Sequence, residues 1–514
     1  MKPFEAFVVG VVGTGAMGRG IAQLFAQSGH AVRLFDAAPG AAQAACAAVS
    51  DTLGKQVEKG KLARDAFEAT MGRMSPVGAL GELAGCDLVI EAIVENLDVK
   101  KRLFVELEAV AGPDALLVTN TSSLSVTAIA AACSDPARVA GYHFFNPVPL
   151  MKVVEVIRGA RTSAATADAL VALTRRTGHA PVVAQDTPGF LINHAGRGYG
   201  TEALKLVAEG VADVPTVDRV MREQVVFDGA GFRLGPFELL DLTGLDVSHP
   251  VMESIYRQFY EEPRFRPSAL AAQRVAGGLL GRKTGEGFYR YENGTAVAVP
   301  EAAPVSTGPA PFARVWAAPG PRQAALRELV TALGATVDDA SQPRADSLVL
   351  LAPLGLDATA ACADAGLPAE RTVAVDTLFP FAAKACKRRV LMATPATDPT
   401  LAQAARSLLA ADGARVSLVR DSAGFVAQRI VAMVVAVACE IAQQRIASPA
   451  DIDLAVRLGL GYPTGPLSMG DTLGAATVAA VLEGMHASTG DPRYRPSPWM
   501  RRRARLGLSL LHAD

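Results

Sequence analysis

The sequence has few cysteines, no long hydrophobic run and no excess of charge of one sign, and each absence excludes a class of protein. Its six cysteines in 514 residues are scattered and form no Cys-x-x-Cys pair, which argues against a disulfide framework and predicts no metal site. A long apolar stretch at residues 430–439 is only half as long as the roughly 20 residues that a membrane span requires. Because 50 basic side chains nearly balance 51 acidic ones, no overall field attracts nucleic acid.

What the sequence does contain is material for several hydrophobic cores, since 50% of its residues are hydrophobic and 20% are charged. At roughly 100–200 residues per domain, this length predicts about three to five domains. Apolar strands alternate with helical stretches in the first part of the chain, which predicts an α/β fold with a doubly wound parallel sheet. Neither a basic leader nor a small-residue cleavage site precedes the first strand, so we expect a cytoplasmic protein.

A glycine motif follows the first predicted strand, residues 7–12. The spacing Gly13-x-Gly15-x-x-Gly18 suits a tight turn whose backbone approaches a pyrophosphate, and it includes Ala16 and Met17 at the start of a helix. Asp36 ends the next predicted strand, where its carboxylate can accept hydrogen bonds from ribose hydroxyls and would repel a 2′-phosphate. These residues predict binding of NAD in preference to NADP.

Two further residues suggest the chemistry. His143 ends a predicted strand, and Glu155 follows it after a proline-containing turn. An imidazole can accept a hydroxyl proton near neutral pH, and a carboxylate can hold its tautomer and stabilise the charged ring. From the residues alone, a hydrogen-bonded core histidine and a catalytic base both remain open. Asn120-Thr121-Ser122-Ser123 is equally ambiguous because it suits a helix cap as well as a site, and Lys59 suits a solvated helix face as well as an anion contact.

The second half of the chain repeats the first in degraded form. Asp421–Phe425 matches Asp186–Phe190, Gly465–Asp471 matches Gly235–Asp241, and Arg493–Ser497 matches Arg264–Ser268, in the same order and at offsets near 230 residues. A Pro- and Ala-rich linker separates the copies, and the α/β stretch after it lacks the glycine motif and any match to His143 or Glu155. Gln428 stands where the first copy has Asn193.

Taken together, the motifs resemble those of the L-3-hydroxyacyl-CoA dehydrogenases. The resemblance is specific over residues 5–291 and looser beyond. Within that family the chain looks most like the long bacterial 3-hydroxyadipyl-CoA dehydrogenases of phenylacetate degradation, a similarity that Asp228–Phe232 supports. The segments that carry the family resemblance are Gly13–Gly18, Glu91–Asn96, Asn120–Leu124, His143–Glu155, Asp186–Phe190 and Gly235–Asp241.

The resemblance implies a role for each matching position. His143 would be the general base and Glu155 its orienting partner, while Ser122 and Asn193 would bind the reacting oxygen and the substrate carbonyls. Lys59 would meet the phosphates of CoA. The residues implied around the nicotinamide half of NAD are Glu95, Lys100, Ser122, Asn146 and Lys283. One departure is His194, where the family usually has arginine after the asparagine.

The predicted domains follow from these boundaries. They are an NAD-binding Rossmann domain (1–185), a helical substrate and dimerisation domain (186–291), a linker (292–311), a degenerate Rossmann-like segment (312–420) and a second helical domain (421–514). Because helical domains dimerise in shorter family members, the second copy is expected to bury residues 430–439 against residues 186–291 in an internal pseudo-dimer. A homodimer stays open as an alternative.

The predicted function is NAD-dependent oxidation of an (S)-3-hydroxyacyl-CoA to the 3-ketoacyl-CoA. One alternative is a 3-hydroxyacid dehydrogenase, a group that relies on a catalytic lysine, and another is a non-catalytic NAD-binding structural or sensor protein. The expected substrates are 3-hydroxybutyryl-CoA and 3-hydroxyadipyl-CoA. A terminal carboxylate on the substrate has three candidate partners, Arg197, Arg222 and Arg233, and the sequence does not choose among them.

Overall fold

The computed structural model describes Phe4 and residues 7–301, 310–382 and 386–514. The strands of the first sheet are β1 (Val8–Val12), β2 (Ala31–Phe35), β3 (Met74–Pro76), β4 (Leu88–Glu91), β5 (Leu116–Thr119), β6 (Val139–His143), β7 (Val153–Arg158) and β8 (Ala180–Gln185). The helices of this part are α1 (Ala16–Gln27), α2 (Ala41–Glu58), α3 (Arg64–Met71), α4 (Leu97–Val110), α5 (Val126–Ala130), α6 (Ala164–Arg176) and α7 (Ile192–Ala195).

The first sheet has the order β3-β2-β1-β4-β5-β6-β7-β8. Neighbouring strands are parallel except β6 and β7, which are antiparallel. The strand order reverses between β1 and β4, and ligands of such sheets bind at the carboxyl ends of the strands beside this point. Strands β4 and β6 are buried along their whole length, as expected for strands covered by helices on both faces. The predicted doubly wound sheet is confirmed.

A helical region follows the first sheet. Its helices are α8 (Arg197–Ala208), α9 (Val214–Glu223), α10 (Pro236–Thr243), α11 (Leu245–Gln258) and α12 (Ala269–Ala276). Two short hairpins accompany them, formed by β9 (Val226–Phe227) with β10 (Ala230–Gly231) and by β11 (Tyr291–Glu292) with β12 (Thr295–Ala296). The second hairpin lies partly within the predicted linker 292–311, of which residues 302–309 are outside the described residues.

The second α/β region contains β13 (Arg314–Ala317), β14 (Ser347–Leu351), β15 (Thr372–Val375), β16 (Arg388–Ala393) and β17 (Arg415–Val419), with helices α13 (Gln323–Ala332), α14 (Ala358–Asp364) and α15 (Pro399–Leu408). The chain ends in α16 (Ala427–Gln443), α17 (Pro449–Leu460), α18 (Pro466–Leu473), α19 (Ala475–Thr489) and α20 (Pro498–Leu506). The described residues include no helix long and apolar enough to cross a lipid bilayer.

The second sheet repeats the last part of the first. Its order is β13-β14-β15-β16-β17, and β15–β16 is antiparallel as β6–β7 is. Equivalent aspartates also cap equivalent helices. Asp186 accepts hydrogen bonds from the first amides of α5, at Val126 and Thr127, and Asp421 does the same for α14. The degenerate α/β segment predicted from the sequence is therefore a real sheet, and among the described residues it lacks counterparts of β1, β2 and β3.

Helix α16 lies in the core of the helical region, as predicted for residues 430–439. It crosses α8 so closely that a Cβ on Gly198 would lie 2.8 Å from the Cα of Val434. Arg429 at its start is buried and pairs with Glu202 of α8, with Nε donating to Oε1 over 2.8 Å. The buried ion pair joins the two copies across 227 positions of sequence.

The chain divides into two compact units, and the second copy contributes to both. One unit contains residues 1–194 together with 444–460, and the other contains 195–443 and 461–514. In the first unit, the amide of Gln185 donates to the carbonyl of Ile446 over 2.8 Å, and Ala184 forms an antiparallel bridge with Ala447. Helix α17 then packs on β7 and β8. This covers the edge strand β8, whose backbone groups would otherwise be open. The domain boundaries drawn from the sequence remain predictions.

Candidate active site

The glycine motif forms a close turn between β1 and α1. Gly13 has a φ of +90°, in the left-handed region, and a Cβ there would lie 2.6 Å from the carbonyl oxygen of Ala92. A Cβ on Gly18 would overlap the carbonyl of Gly13, so the helix can lie against the turn only without one. Gly15 has open space around it and caps α1 without a side-chain hydrogen bond. Its backbone and the exposed Ala16 at the helix start are thus accessible to a phosphate.

Asp36 lies at the carboxyl end of β2 beside this turn. Its Oδ2 accepts hydrogen bonds from the amide and hydroxyl of Thr14, over 2.7 and 2.9 Å, and its Oδ1 accepts one from Ala38 over 3.0 Å. Burial alone would raise the pKa of Asp36, but these hydrogen bonds outweigh it and lower the pKa below its usual value. The residue is therefore an anion, which favours a ribose diol and repels a 2′-phosphate.

A cavity of about 590 Å³ connects these features. It is bounded by the ends of β1, β2 and β4 and by α4, the place where a doubly wound sheet holds a dinucleotide. Its lining includes Gly13, Thr14, Gly15, Asp36, Ala92, Ile93 and Arg102. A backbone cradle without Cβ atoms, an open helix N-terminus and an anionic Asp36 all fit NAD.

His143 and Glu155 lie directly opposite each other on the antiparallel strands β6 and β7. The Nδ1 of His143 and the Oε2 of Glu155 are 2.5 Å apart, and the two side chains are 6% and 0% exposed. Carboxylate oxygens accept hydrogen bonds from N–H groups, so this geometry suits donation from Nδ1 to Glu155, an arrangement in which Nε2 can exchange a proton. No local motif specifies the register of these strands, yet the two residues predicted to act together are in contact.

The other oxygen of Glu155 is held by the turn that follows β8. Its Oε1 accepts hydrogen bonds from the amides of Leu191 and Ile192, over 3.0 and 2.8 Å. Phe190 precedes them with a φ of +50° and lies with its ring 5.8 Å from that of His143. Asn193 is the next residue, so the predicted substrate-binding asparagine belongs to the same turn.

The loop after β5 carries Ser122. Its amide donates to Oε1 of Glu95 over 3.0 Å, and Thr121 donates its hydroxyl to the same oxygen over 2.6 Å. Burial raises the pKa of Glu95, but Thr121, Lys100 and the loop amides outweigh burial and lower it. Lys100 is 1% exposed, with its Nζ 2.5 Å from Glu91 and 3.3 Å from Glu95. Glu95 therefore holds the loop directly, and Lys100 supports it through its contact with Glu95.

The remaining predicted site residues are placed less tightly. Asn146 is exposed at the start of the β6–β7 turn, and Lys59 is exposed just after α2. Lys283 lies in the second unit, where its Nζ is 2.5 Å from Asp246. Among the arginines, Arg222 pairs with Glu238 at 3.2 Å and Arg233 is exposed. Burial lowers the pKa of Arg197 to about 10, although the nearby Tyr462 opposes this.

The structure also reveals a residue that the sequence analysis missed. The amide of Asp376, just after β15, donates a hydrogen bond to the carbonyl of Val390 in β16. In the first sheet, His143 and Glu155 occupy the equivalent positions on β6 and β7. Gln428, the counterpart of Asn193, donates to Asp376 over 2.9 Å. Burial raises the pKa of Asp376, against opposing hydrogen bonds from Gln428 and Leu378. Only strand pairing, which no local motif encodes, identifies this position.

The fold and the His143–Glu155 site define a dinucleotide-dependent oxidoreductase. The family described as "3-hydroxyacyl-CoA dehydrogenase, NAD binding domain" matches residues 8–187. The "3-hydroxyacyl-CoA dehydrogenase, C-terminal domain" matches twice, at residues 189–291 and 424–509, which confirms the duplication. The chain belongs to the 3-hydroxyacyl-CoA dehydrogenase family, and it is an NAD-dependent enzyme of that class.

Individual relatives agree with this assignment. The chain is 38% identical over 509 residues to a 3-hydroxyadipyl-CoA dehydrogenase of Escherichia coli (strain K12), covering 97% of both chains. It is 40% identical over 290 residues to the mitochondrial hydroxyacyl-coenzyme A dehydrogenase of Sus scrofa, covering 55% of this chain and 91% of that one. A crystal structure of a 3-hydroxybutyryl-CoA dehydrogenase from Escherichia coli K12 matches 98% of both chains with a TM-score of 0.84 and 37% identity.

Proposed function

We propose that the chain oxidises (S)-3-hydroxyacyl-CoA to 3-ketoacyl-CoA in one active site, with His143 as general base. The observation that carries this proposal is the 2.5 Å contact between His143 Nδ1 and Glu155 Oε2. It leaves Nε2 to accept the proton of the 3-hydroxyl, and Glu155 then stabilises the imidazolium. In the reverse direction His143 returns the proton to the 3-keto oxygen. NAD, when bound, supplies the hydride acceptor.

We assign NAD binding to two groups of residues. The first is the β1–α1 turn with Asp36, whose geometry fits the pyrophosphate and the adenosine ribose. The second is the set implied by family resemblance for the nicotinamide half. Together they comprise Gly13, Gly15, Ala16, Met17, Gly18, Asp36, Glu95, Lys100, Ser122, Asn146 and Lys283. Because Glu95 and Lys100 hold the Ser122 loop, they support the nicotinamide site by shaping that loop.

Substrate binding is assigned to Ser122, Asn193 and Lys59. Asn193 follows directly on the amides that hold Glu155, so one turn orients the base pair and presents the substrate-binding amide. Ser122 is fixed through its own amide, which leaves its hydroxyl for the reacting oxygen. Lys59 is exposed at the end of α2, where a flexible cation can meet the phosphates of CoA.

The test of the activity is oxidation of NADH in the presence of acetoacetyl-CoA. We expect turnover that depends on both compounds. NADH binding without turnover would instead favour the alternative of a structural or sensor protein. A catalytic lysine in place of His143, as in the 3-hydroxyacid dehydrogenases, would be indicated by full activity in a His143→Gln variant.

The acyl group is proposed to be short, as in 3-hydroxybutyryl-CoA or 3-hydroxyadipyl-CoA. The relative that shares 97% coverage is named for the second of these, which favours a substrate with a terminal carboxylate. We therefore expect a higher kcat/KM for 3-hydroxyadipyl-CoA than for 3-hydroxybutyryl-CoA. The reverse order would remove the argument for a carboxylate partner among Arg197, Arg222 and Arg233.

We also propose that the second copy replaces a partner subunit, so that the protein is a monomer with an internal pseudo-dimer. The burial of α16 against α8 and the Arg429–Glu202 ion pair support this arrangement. Light scattering during size-exclusion chromatography should give the mass of one chain, 53.4 kDa. A mass of two chains would favour the homodimer.

A further inference from the structure

The carboxylate of Glu155 depends on a turn that has little structure of its own. Phe190 has a positive φ, and Leu191 and Ile192 turn their amides toward Oε1 of Glu155 at the start of the four-residue helix α7. Whatever holds Ile192 in place therefore also holds the direction of Glu155, and through it the ring of His143.

Ile192 is 1% exposed, and one of the residues that enclose its side chain, Gly459, belongs to the second copy. A Cβ built on Gly459, near the end of α17, would lie 2.6 Å from Cδ1 of Ile192 and 3.2 Å from its Cγ1 and Cγ2. The backbone of α17 thus lies directly against the Ile192 side chain. No side chain larger than hydrogen fits between them without moving one of the two.

Helix α17 is itself fixed to the sheet that carries Glu155. The hydrogen bond from Gln185 to Ile446 and the Ala184–Ala447 bridge attach its approach to β8, and the helix packs on β8 and β7. Glu155 is the third residue of β7. The carboxylate of Glu155 therefore lies between its own strand and the turn at residues 190–192, and α17 packs against the other side of this turn.

The second sheet has the same arrangement with a different residue at this point. There the amide of Arg420 donates to the carbonyl of Val211 over 3.0 Å, and α9 packs on β16. Val211 is the counterpart of Ile446, since the two are 235 positions apart, and Gln224 is the counterpart of Gly459 at the same offset. Gln224 is close enough to Asp376, the counterpart of His143, to lower its pKa against the effect of burial. In each sheet, the end of a helix from the other copy lies beside the site position. Gly459 contacts Ile192 in the first sheet, and Gln224 contacts Asp376 in the second.

We propose that α17 of the degenerate second copy is a positioning element of the active site, and that Gly459 is a positioning residue that acts through Ile192 on Glu155. This inference rests on the proposed function, in which Glu155 orients His143. The second copy would thus contribute to turnover through α17, although its own sheet has neither a glycine motif nor a His–Glu pair.

The first experiment is Gly459→Val in the full-length chain. Pushing Ile192 away should displace the amides from Glu155, and a displacement of about 1 Å at a reacting group lowers the rate by roughly 10²-fold. We expect kcat to fall by about that factor, with the dissociation constant of NADH unchanged. The matched control is Ala450→Val, which adds bulk at an exposed position of the same helix and should leave kcat unchanged.

Two combinations separate positioning from general damage. In a Glu155→Gln background, Gly459→Val should cause little further loss of kcat, because both changes act through one carboxylate. Ile192→Val removes Cδ1, the atom that a new Cβ would meet at 2.6 Å, so it should restore activity to Gly459→Ala. Alanine also favours helix, so this pair keeps the test valid if Gly459→Val fails to fold.

The outcomes are distinguishable. An unchanged kcat in both Gly459 variants, or losses that multiply with Glu155→Gln, would overturn the inference and leave the proposed function standing. An unchanged kcat in Glu155→Gln alone would overturn the proposed mechanism itself. Loss of kcat that Ile192→Val reverses, with NADH binding retained throughout, supports the inference.

Discussion

Replacing Glu155 by glutamine should change which nitrogen of His143 carries the proton. The amide is nearly the same size as the carboxylate, so packing is kept. However, Oε1 of Glu155 accepts from two backbone amides, over 3.0 and 2.8 Å. If the glutamine NH₂ group faced these amides, both hydrogen bonds would be lost, each worth about 0.5–1.5 kcal/mol. The NH₂ group would also lie against two N–H groups, and neither side could accept a hydrogen bond. The oxygen therefore stays in place and the NH₂ group faces Nδ1.

The consequence for catalysis follows from this orientation. A donor facing Nδ1 requires Nδ1 to accept, so the hydrogen of the neutral ring moves to Nε2, the atom that has to take the substrate proton. General acid–base assistance is worth roughly 10²–10⁴ in rate, and amide substitution beside a triad histidine costs about 10⁴ by the same tautomer effect. We expect kcat of Glu155→Gln to fall within that range.

The assay is NADH oxidation with acetoacetyl-CoA, accompanied by the dissociation constant of NADH. The dissociation constant should not change, because the cradle of Gly13, Gly15 and Asp36 is untouched. Glu68→Gln makes the same chemical change at an exposed position of α3 and serves as control. Full activity in Glu155→Gln would refute the tautomer argument, and so would a loss explained entirely by weaker NADH binding.

Three further predictions concern His143, Asp36 and Glu202. His143→Gln should lower kcat by about 10²–10⁴ and leave the NADH dissociation constant intact; an unchanged kcat would contradict its role as base. Asp36→Ala should weaken NAD binding by roughly 10-fold or more, since hydrogen bonds to charged groups are worth about 1.5–3 kcal/mol, and should narrow the preference for NAD over NADP. An unaltered preference would count against the ribose contact. Glu202→Ala should lower the free energy of unfolding by about 3–5 kcal/mol, measured by urea unfolding, because Arg429 and Arg493 lose a buried partner. Burial raises the pKa of Glu202, but the two arginines and Tyr494 outweigh it and lower the pKa. The stabilisation is therefore present above the unfolded pKa of about 4.3. The difference in unfolding free energy between the wild-type protein and Glu202→Ala should shrink as the solution is acidified below that pH.

The parts of the site that the sequence predicts are those set by local geometry. Gly13 and Gly18 are needed because the turn and the helix contact leave no room for a Cβ, and this need is visible as a spacing of glycines. Asp36 follows from the same unit, since it ends the next strand. For His143 and Glu155, the residues alone left a core histidine and a catalytic base both open, and the family resemblance indicated the catalytic pair.

The parts that escaped prediction depend on pairings between distant segments. Asp376 has no motif around it, and only the β15–β16 register shows that it occupies the position of the base. The return of residues 444–460 to the first sheet was also unforeseen. The apolar periodicity of α17 shows that one face is buried but does not identify the surface that buries it.

The two copies differ at the positions that correspond to His143 and Glu155. The first sheet has a glutamate that the backbone holds in place and that faces a histidine across one strand pair. At the same two places the second sheet has Asp376 and Val390. The side chain of valine cannot accept a hydrogen bond, so Asp376 faces no carboxylate as His143 does, and it is held instead by Gln428 and the amide of Leu378. Burial raises its pKa, and Gln428 donates to it. The Asp376 side chain is also buried away from solvent. If the second copy nevertheless affects turnover, it must do so through packing, and α17 against Ile192 is where that packing reaches the carboxylate of the first site.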